Sequence, residues 1–284
     1  MAQEYPVKQI TFCDSMHDGY PTWTRDSKFI IYDSGSREAC HAWKVPASGG
    51  TPVKLTSCFS QHTQLSPDGT KLLFDGEFGS VIQMTGIGGG DPVRVVPADI
   101  PISRSGYPTW SRDGRKIAFQ SVADIWVMDL DKKESAKVYH QEGRLTIPFY
   151  WMPGDKELLI DVRDTVTRKC EIWKISLEGK PAVQLTRLNA FASKADLSPD
   201  GSMILFSSNH GGNFDVWVMK AGGGTPVQLT FYKGADKNPG FDMEAAWSPD
   251  GKKIAFSSSR SNYWAIWVME PNIAELKKKL GITP

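Results

Sequence analysis

The feature that most restricts this chain is a repeat. Its clearest copy runs Ala195-Asp-Leu-Ser-Pro-Asp-Gly-Ser-Met-Ile-Leu-Phe-Ser-Ser208, then Asp215-Val-Trp-Val-Met219, then Thr225-Pro-Val-Gln-Leu-Thr230. A short segment ends in a Pro-Asp-Gly turn. An apolar strand follows, then a polar loop, a strand centred on tryptophan, a Gly-rich turn and an outer strand. Proline presets the first turn torsion, Asp can bond its own backbone, and Gly accepts positive φ.

Aligned on the residue just before the turn, the copies fall at Trp23, Leu65, Trp110, Trp151, Leu197 and Trp247, spaced 42, 45, 41, 46 and 50 residues apart. That period suits a four-stranded propeller blade. The turns read Arg25-Asp-Ser27, Pro67-Asp-Gly69, Arg112-Asp-Gly114, Pro153-Gly-Asp155, Pro199-Asp-Gly201 and Pro249-Asp-Gly251. The third strand carries Trp43, Ile82, Trp126, Trp173, Trp217 and Trp267 at one position. Nine of the ten tryptophans occupy these two positions, so they read as packing between blades. Only five outer strands follow the six copies. Tyr5-Pro-Val-Lys-Gln-Ile-Thr11 has the outer-strand pattern with one extra residue, Gln9. The expected fold is therefore all-β: a six-bladed propeller whose N-terminal strand supplies the outer strand of the last blade and removes an exposed edge. It forms one domain over 1–284, with a closing strand at 1–12, repeats at about 20–57, 62–98, 107–141, 147–187, 194–231 and 244–270, and a basic helical tail over 271–284.

The repeats resemble those of the TolB-like propeller family, the WD40-like Asp-containing propeller repeats. Leu197-Ser-Pro-Asp-Gly201, Trp247-Ser-Pro-Asp-Gly-Lys-Lys-Ile-Ala-Phe-Ser257, Ile125-Trp-Val-Met-Asp129 and Gly222-Gly-Gly-Thr-Pro-Val-Gln-Leu-Thr230 carry the resemblance. It implies a six-bladed propeller without fixing one function, because function lives in the loops. Similar propellers serve as protein-binding modules in the bacterial envelope, as gates of prolyl-oligopeptidase-like enzymes, and as metal-dependent lyases of the oligogalacturonate type. The resemblance implies a periplasmic or extracellular setting. The N-terminus itself has no basic region followed by an apolar stretch, which reads as a cytosolic chain or one whose leader was removed.

A formal net charge of +1 gives no global field for nucleic acid or anionic membrane. No apolar run reaches transmembrane length. Cys13, Cys40, Cys58 and Cys170 lack a CxxC spacing and read as free thiols.

Polar residues precede each blade: His17 and Asp18, Gln61 and His62, Arg104, Arg144, Lys194 and Asp196, Asp242 and Glu244. They are expected to converge on the channel mouth, on the face opposite the Pro-Asp-Gly turns, as a ligand site. The loops farther out on that face are expected to hold Asp33, Asp75 and Asp161. His17, His41 and His62, with Asp18 and the nearby cysteines, form a candidate divalent-metal group, although no local spacing holds two ligands on one element. No Gly-x-Ser-x-Gly elbow or phosphate loop is present. The reading is a non-catalytic, monomeric propeller with no required cofactor, binding a protein partner or a polar or saccharide ligand. The alternative is a lyase or hydrolase of acidic oligosaccharides, metal-assisted or not, with His17 or His62 as general base or metal ligand and Arg104, Arg144 and Lys194 neutralising carboxylates.

Overall fold

Ser-x-Asp-Gly tetrads set the hairpin in four of the six blades. Ser66, Ser111, Ser198 and Ser248 donate to Asp68, Asp113, Asp200 and Asp250 at 2.6–2.7 Å. The following glycines take φ values of 70–76°. In the two irregular turns Ser27 and Asp155 adopt that left-handed conformation instead. Both offset the strain with a bond to the adjacent blade. Ser27 Oγ accepts from Asp250 N at 3.2 Å, and Asp155 accepts from Arg112 N and Asp113 N at 2.7 and 3.1 Å.

The computed structural model describes residues 5–12, 17–101, 106–234, 240–261 and 263–283. The chain opens with β1 (Val7–Gln9). Blade 1 is β2 (His17–Trp23), β3 (Phe29–Gly35), β4 (Cys40–Pro46) and β5 (Val53–Lys54). Blade 2 is β6 (Gln61–Leu65), β7 (Lys71–Gly76), β8 (Val81–Gly86) and β9 (Gly89–Arg94). Blade 3 is β10 (Thr109–Trp110), β11 (Lys116–Ser121), β12 (Asp124–Asp129) and β13 (Glu134–Tyr139). Blade 4 is β14 (Arg144–Trp151), β15 (Glu157–Asp164), β16 (Cys170–Ser176) and β17 (Val183–Gln184). Blade 5 is β18 (Ala192–Leu197), β19 (Met203–Ser208), β20 (Asp215–Lys220) and β21 (Val227–Gln228). Blade 6 is β22 (Asp242–Trp247), β23 (Ile254–Ser258) and β24 (Ala265–Met269), and α1 (Ile273–Lys279) follows. Each sheet is antiparallel, and β1 is the fourth strand of blade 6, in the order β1-β24-β23-β22.

The outer strands share a device that identifies β1 as one of them. Thr56, Thr186 and Thr230 each accept, through Oγ1, the backbone N–H of a residue on the third strand: Ala42, Ile172 and Val216 at 2.8–3.0 Å. Thr11 does the same for Ile266 at 2.9 Å. Gln9 pairs with Trp267 as Gln184 pairs with Trp173 and Gln228 with Trp217. Gln9-Ile-Thr11 is thus the regular part of the pattern, and the extra residue lies upstream of it rather than at Gln9. Ile10 is buried in a cluster with Trp23, Ile30 and Tyr32 of blade 1 and Ile266 and Val268 of blade 6. The first and last blades therefore share one core.

Blade 2 corrects one alignment. Phe74 pairs with Gln83, where the other blades pair an apolar residue with tryptophan. Ile82 sits one residue earlier, on the other face, and is fully buried. A Cβ on Gly76 would stand 1.8 Å from Gln83 Oε1, so Gly76 makes room for this side chain.

Ile10→Ala should destabilise the protein by about 2–5 kcal/mol. Thr11→Val should cost about 1–3 kcal/mol by stranding Ile266 N–H. Both are measurable by denaturant unfolding, and a wild-type midpoint for either variant would contradict the seam described here.

Candidate functional site: the channel ring and the axial cavity

Three residues before the aligned tryptophan or leucine, five of the six inner strands have the same irregularity. Tyr20, His62, Tyr107, Lys194 and Glu244 all take positive φ, between 44 and 59°. The ladder slips there in blades 1, 2, 5 and 6. A bulge re-aims the side chain it carries. These five side chains form the ring that constricts the channel. The sixth position is Pro148, whose ring fixes φ negative.

The bulge amides are capped from the neighbouring blade. Asp33 Oδ2 accepts from Thr63 N at 3.3 Å. Asp75 accepts from Gly106 N at 2.9 Å, Tyr107 N at 3.3 Å and the ring nitrogen Nδ1 of His62 at 2.7 Å. Asp161 accepts from Lys194 N at 3.2 Å and from the Ser193 hydroxyl. Ser207 Oγ accepts from Glu244 N at 2.8 Å. At the seam, Ser257 acts through Glu244 rather than directly. It holds Glu244 Oε2 at 2.8 Å, and that oxygen accepts from Tyr20 N at 2.8 Å. The equivalent residue facing Pro148 is Gln120, which donates to Val122 O of its own blade. Proline has no N–H there, and no carboxylate is needed.

Asp33, Asp75 and Asp161 were expected on outer loops. They are instead buried on second strands, where they join blade to blade. Burial pushes the Asp33 carboxyl up to about 6 and that of Asp161 up to about 7.

Within the ring, His62 stacks on Tyr107, 4.0 Å between centroids, and meets Tyr20 edge-on at 4.3 Å. Lys194 Nζ lies 3.7 Å from the centre of the Tyr20 ring. Its ammonium is buried and has no hydrogen-bond acceptor among the described residues. Burial lowers the Lys194 pKa, against the pull of Glu244, Asp33, Asp196 and Asp161. Tyr20, His62, Tyr107 and Lys194 also bound a void of about 10 Å³, near the volume of one water.

Beyond the ring lies a larger cavity of about 640 Å³ lined by all six blades. It opens between the Pro-Asp-Gly hairpins, the end opposite to the one expected. Trp23, Trp110, Trp151 and Trp247 wall it, so the packing indoles also present edges to the axis. Arg25, Arg112 and Lys194 and Asp68, Asp113 and Asp196 supply charges of both signs. Arg112 Nη1 donates to Tyr150 Oη at 2.8 Å, and Asp196 accepts from Trp247 N at 2.6 Å. Burial raises the Asp196 carboxyl to about 7.

The structure brings His62, Lys194 and Glu244 together in the ring and places Asp196 on the cavity wall. His17 is exposed at the start of β2 and stacks on Trp264. Asp18 is buried within blade 1, where burial raises its carboxyl. Arg144 pairs with Asp164 at the loop end of blade 4. Asp242 is engaged with Arg260 in a buried pair at 2.5 Å. Arg104 lies outside the described residues, as does Cys13. His41 bonds Cys58 O at 2.9 Å. Among the described residues, no three His, Cys, Asp or Glu side chains are grouped to hold a metal. Tyr20 and Tyr107 are the ring members that the polar-residue search missed. Their shared offset of three from the aligned tryptophans was the available signal.

Asp161→Ala should cost about 1–3 kcal/mol, because it strands buried donors. Gln120→Ala, facing Pro148, should cost less; equal losses in denaturant unfolding would contradict the capping account. Asp33, Asp161 and Asp196 have folded pKa values above their unfolded value, so the folded state binds more protons through this window. Stability should therefore rise as pH falls from about 8 to about 5. It should fall again below about 4, as hairpin acids such as Asp68, held at about 2, become protonated. A pH series of thermal midpoints checks this; a midpoint that falls steadily from pH 8 to 5 would contradict it.

Residues 163–265 match the family model of the Tricorn protease N-terminal β-propeller domain. Among solved structures, a TolB candidate from Agrobacterium tumefaciens is 20% identical, with a TM-score of 0.67 and 92% of each chain covered. TolB from Acinetobacter baumannii is 17% identical with a TM-score of 0.65, over 91% of this chain and 64% of that one. An oligogalacturonate lyase in complex with manganese is 14% identical with a TM-score of 0.59, over 95% and 98%. With six blades closed around one channel, this chain has the TolB-like six-bladed β-propeller fold.

Proposed function

We propose that this chain is a non-catalytic binding propeller that receives a polar segment of a protein partner, or a comparable polar ligand, in its axial cavity. The observation that carries this reading is the cavity itself: about 640 Å³, contributed by all six blades, with indole walls and charges of both signs. Mixed charge and aromatic edges suit a peptide, which offers donors, acceptors and apolar groups together. A polyuronate would call for cations alone. The ring supports binding over catalysis, because His62 is held by Asp75 and enclosed by two tyrosines beside a void too small for a substrate.

A second reading, a lyase or hydrolase of acidic oligosaccharides, draws on one specific feature. The His62–Asp75 pair stands beside Lys194 and two phenols, a set that could exchange protons if the ring opened.

One titration separates the two. Thermal midpoints are followed with mixed-charge peptides and with oligogalacturonates, and the ultraviolet absorbance of unsaturated uronate product is monitored alongside. Binding of a peptide at a hundred times its Kd adds about 2.7 kcal/mol. That should raise the midpoint by several degrees. Gln64→Trp, which narrows the cavity from one wall, should weaken the shift. Product formation that His62→Gln removes would replace the binding reading with the enzymatic one.

A further inference from the structure

The other end of the ring carries features that the axial cavity does not explain. Antiparallel blades put the loops between second and third strands, and the connections between blades, at one end. Most of the exposed large apolar side chains sit there: Val166 at 87%, Phe12 at 76% and Phe78 at 68%, with Val122 and Tyr263. Half-buried rings form an arc beneath them over three blades. Phe191 meets Phe214, Phe214 meets Phe241, Phe241 meets Trp264, and Trp264 stacks on His17, with centroids 4.8–6.3 Å apart.

The arc ends in a groove of about 680 Å³ between blades 4 and 5. Phe191 and Phe214 form its apolar side, and Arg163, Arg168, Lys169 and His210 form the other. Among the described residues, no carboxylate lines it. Two lie beside it and both are engaged: Asp164 accepts from Val166 N and Thr167 N and pairs with Arg144, and Glu171 accepts from Thr186 Oγ1 and Asn189 N. Lys169 Nζ donates at 2.5 Å to the neutral amide of Asn189 and makes no direct ion pair among the described residues. The guanidinium of Arg163 lies 5.3 Å from the Phe191 ring centre, and its Nε is buried with no acceptor among the described residues. A guanidinium meets a carboxylate in bidentate fashion through two of its N–H groups, and Arg163 and Arg168 both line this groove.

From this charge complementarity we propose that the groove between blades 4 and 5 is a second binding site, and that its occupant is an acidic peptide segment of a protein partner. Its carboxylates would meet Arg163, Arg168 and Lys169, and an adjacent apolar side chain would lie on Phe214 and the exposed Val166 lip. A saccharide fits less well. Sugars need open aromatic faces, and Arg163 stands over that of Phe191. The exposed aliphatic lip asks for an apolar partner group.

The test uses the full chain and two labelled synthetic peptides in fluorescence anisotropy. One alternates Asp with Phe; the other replaces each Asp with Asn. The acidic peptide should bind, weaken as salt is raised, and bind R168E at least about fivefold more weakly. The Asn peptide should not bind. R168E is an exposed change that leaves folding intact, so it keeps the test valid if R163Q fails to fold. Gln64→Trp, which narrows the axial cavity, should leave this binding unchanged, so failure of one site is distinguishable from failure of the other. Equal binding of both peptides, no effect of R168E, or complete displacement of the acidic peptide by a short oligogalacturonate that binds more tightly would each overturn the proposal.

Discussion

The structure depends on one contact, the capping of an inner-strand bulge by a side chain from the preceding blade. Five inner strands take a left-handed residue near the axis, a conformation worth about 1–3 kcal/mol of strain each. The bulge frees backbone N–H groups from the ladder, and buried N–H groups must find acceptors. Asp33, Asp75, Asp161 and Ser207 supply them across four junctions, and Ser257 acting through Glu244 supplies the one at the seam. The exception supports the rule: Pro148 has no N–H, and its neighbour Gln120 bonds elsewhere.

The same geometry makes the channel. Once the bulges exist, their side chains point at the axis, and the channel is closed by whatever they are. Here they are two tyrosines, a histidine, a lysine and a glutamate. Lys194 draws its countercharge first from Glu244 of the ring and then from Asp33, Asp196 and Asp161, two of which hold bulges. Structure and electrostatics are therefore coupled: carboxylates buried to satisfy backbone amides also keep a cation at the centre. On one side of this ring lies the six-walled cavity. On the other lies the aromatic arc that leads to the basic groove.

Ring closure rests on the same economy of means. An outer-strand threonine receives a third-strand N–H in four blades, and Thr11 does this at the seam as Thr56, Thr186 and Thr230 do elsewhere. Two irregular hairpins bond across to their neighbours through Ser27 and Asp155. The departures from the repeat thus fall where a blade reaches for the next one.

The sequence alone determined the architecture. Turn chemistry is local, so the tetrads and the strands after them were legible at about the right period, and the N-terminal outer strand could be placed by counting. Register in blade 2 was not legible, because Ile82 and Gln83 are adjacent and only the pairing with Phe74 chooses between them. The site was less legible still. His62, Lys194 and Glu244 were picked out as polar residues before a strand, yet the same search picked out Asp18 and Asp242, which lie buried inside their blades, and passed over Tyr20 and Tyr107. The difference is one of direction. A strand alternates its side chains with a period of two, and a bulge breaks that period by one residue. Which side chain then faces the axis depends on backbone torsion and on an acceptor some 30 or more residues away in the chain, and only the tertiary structure brings the two together.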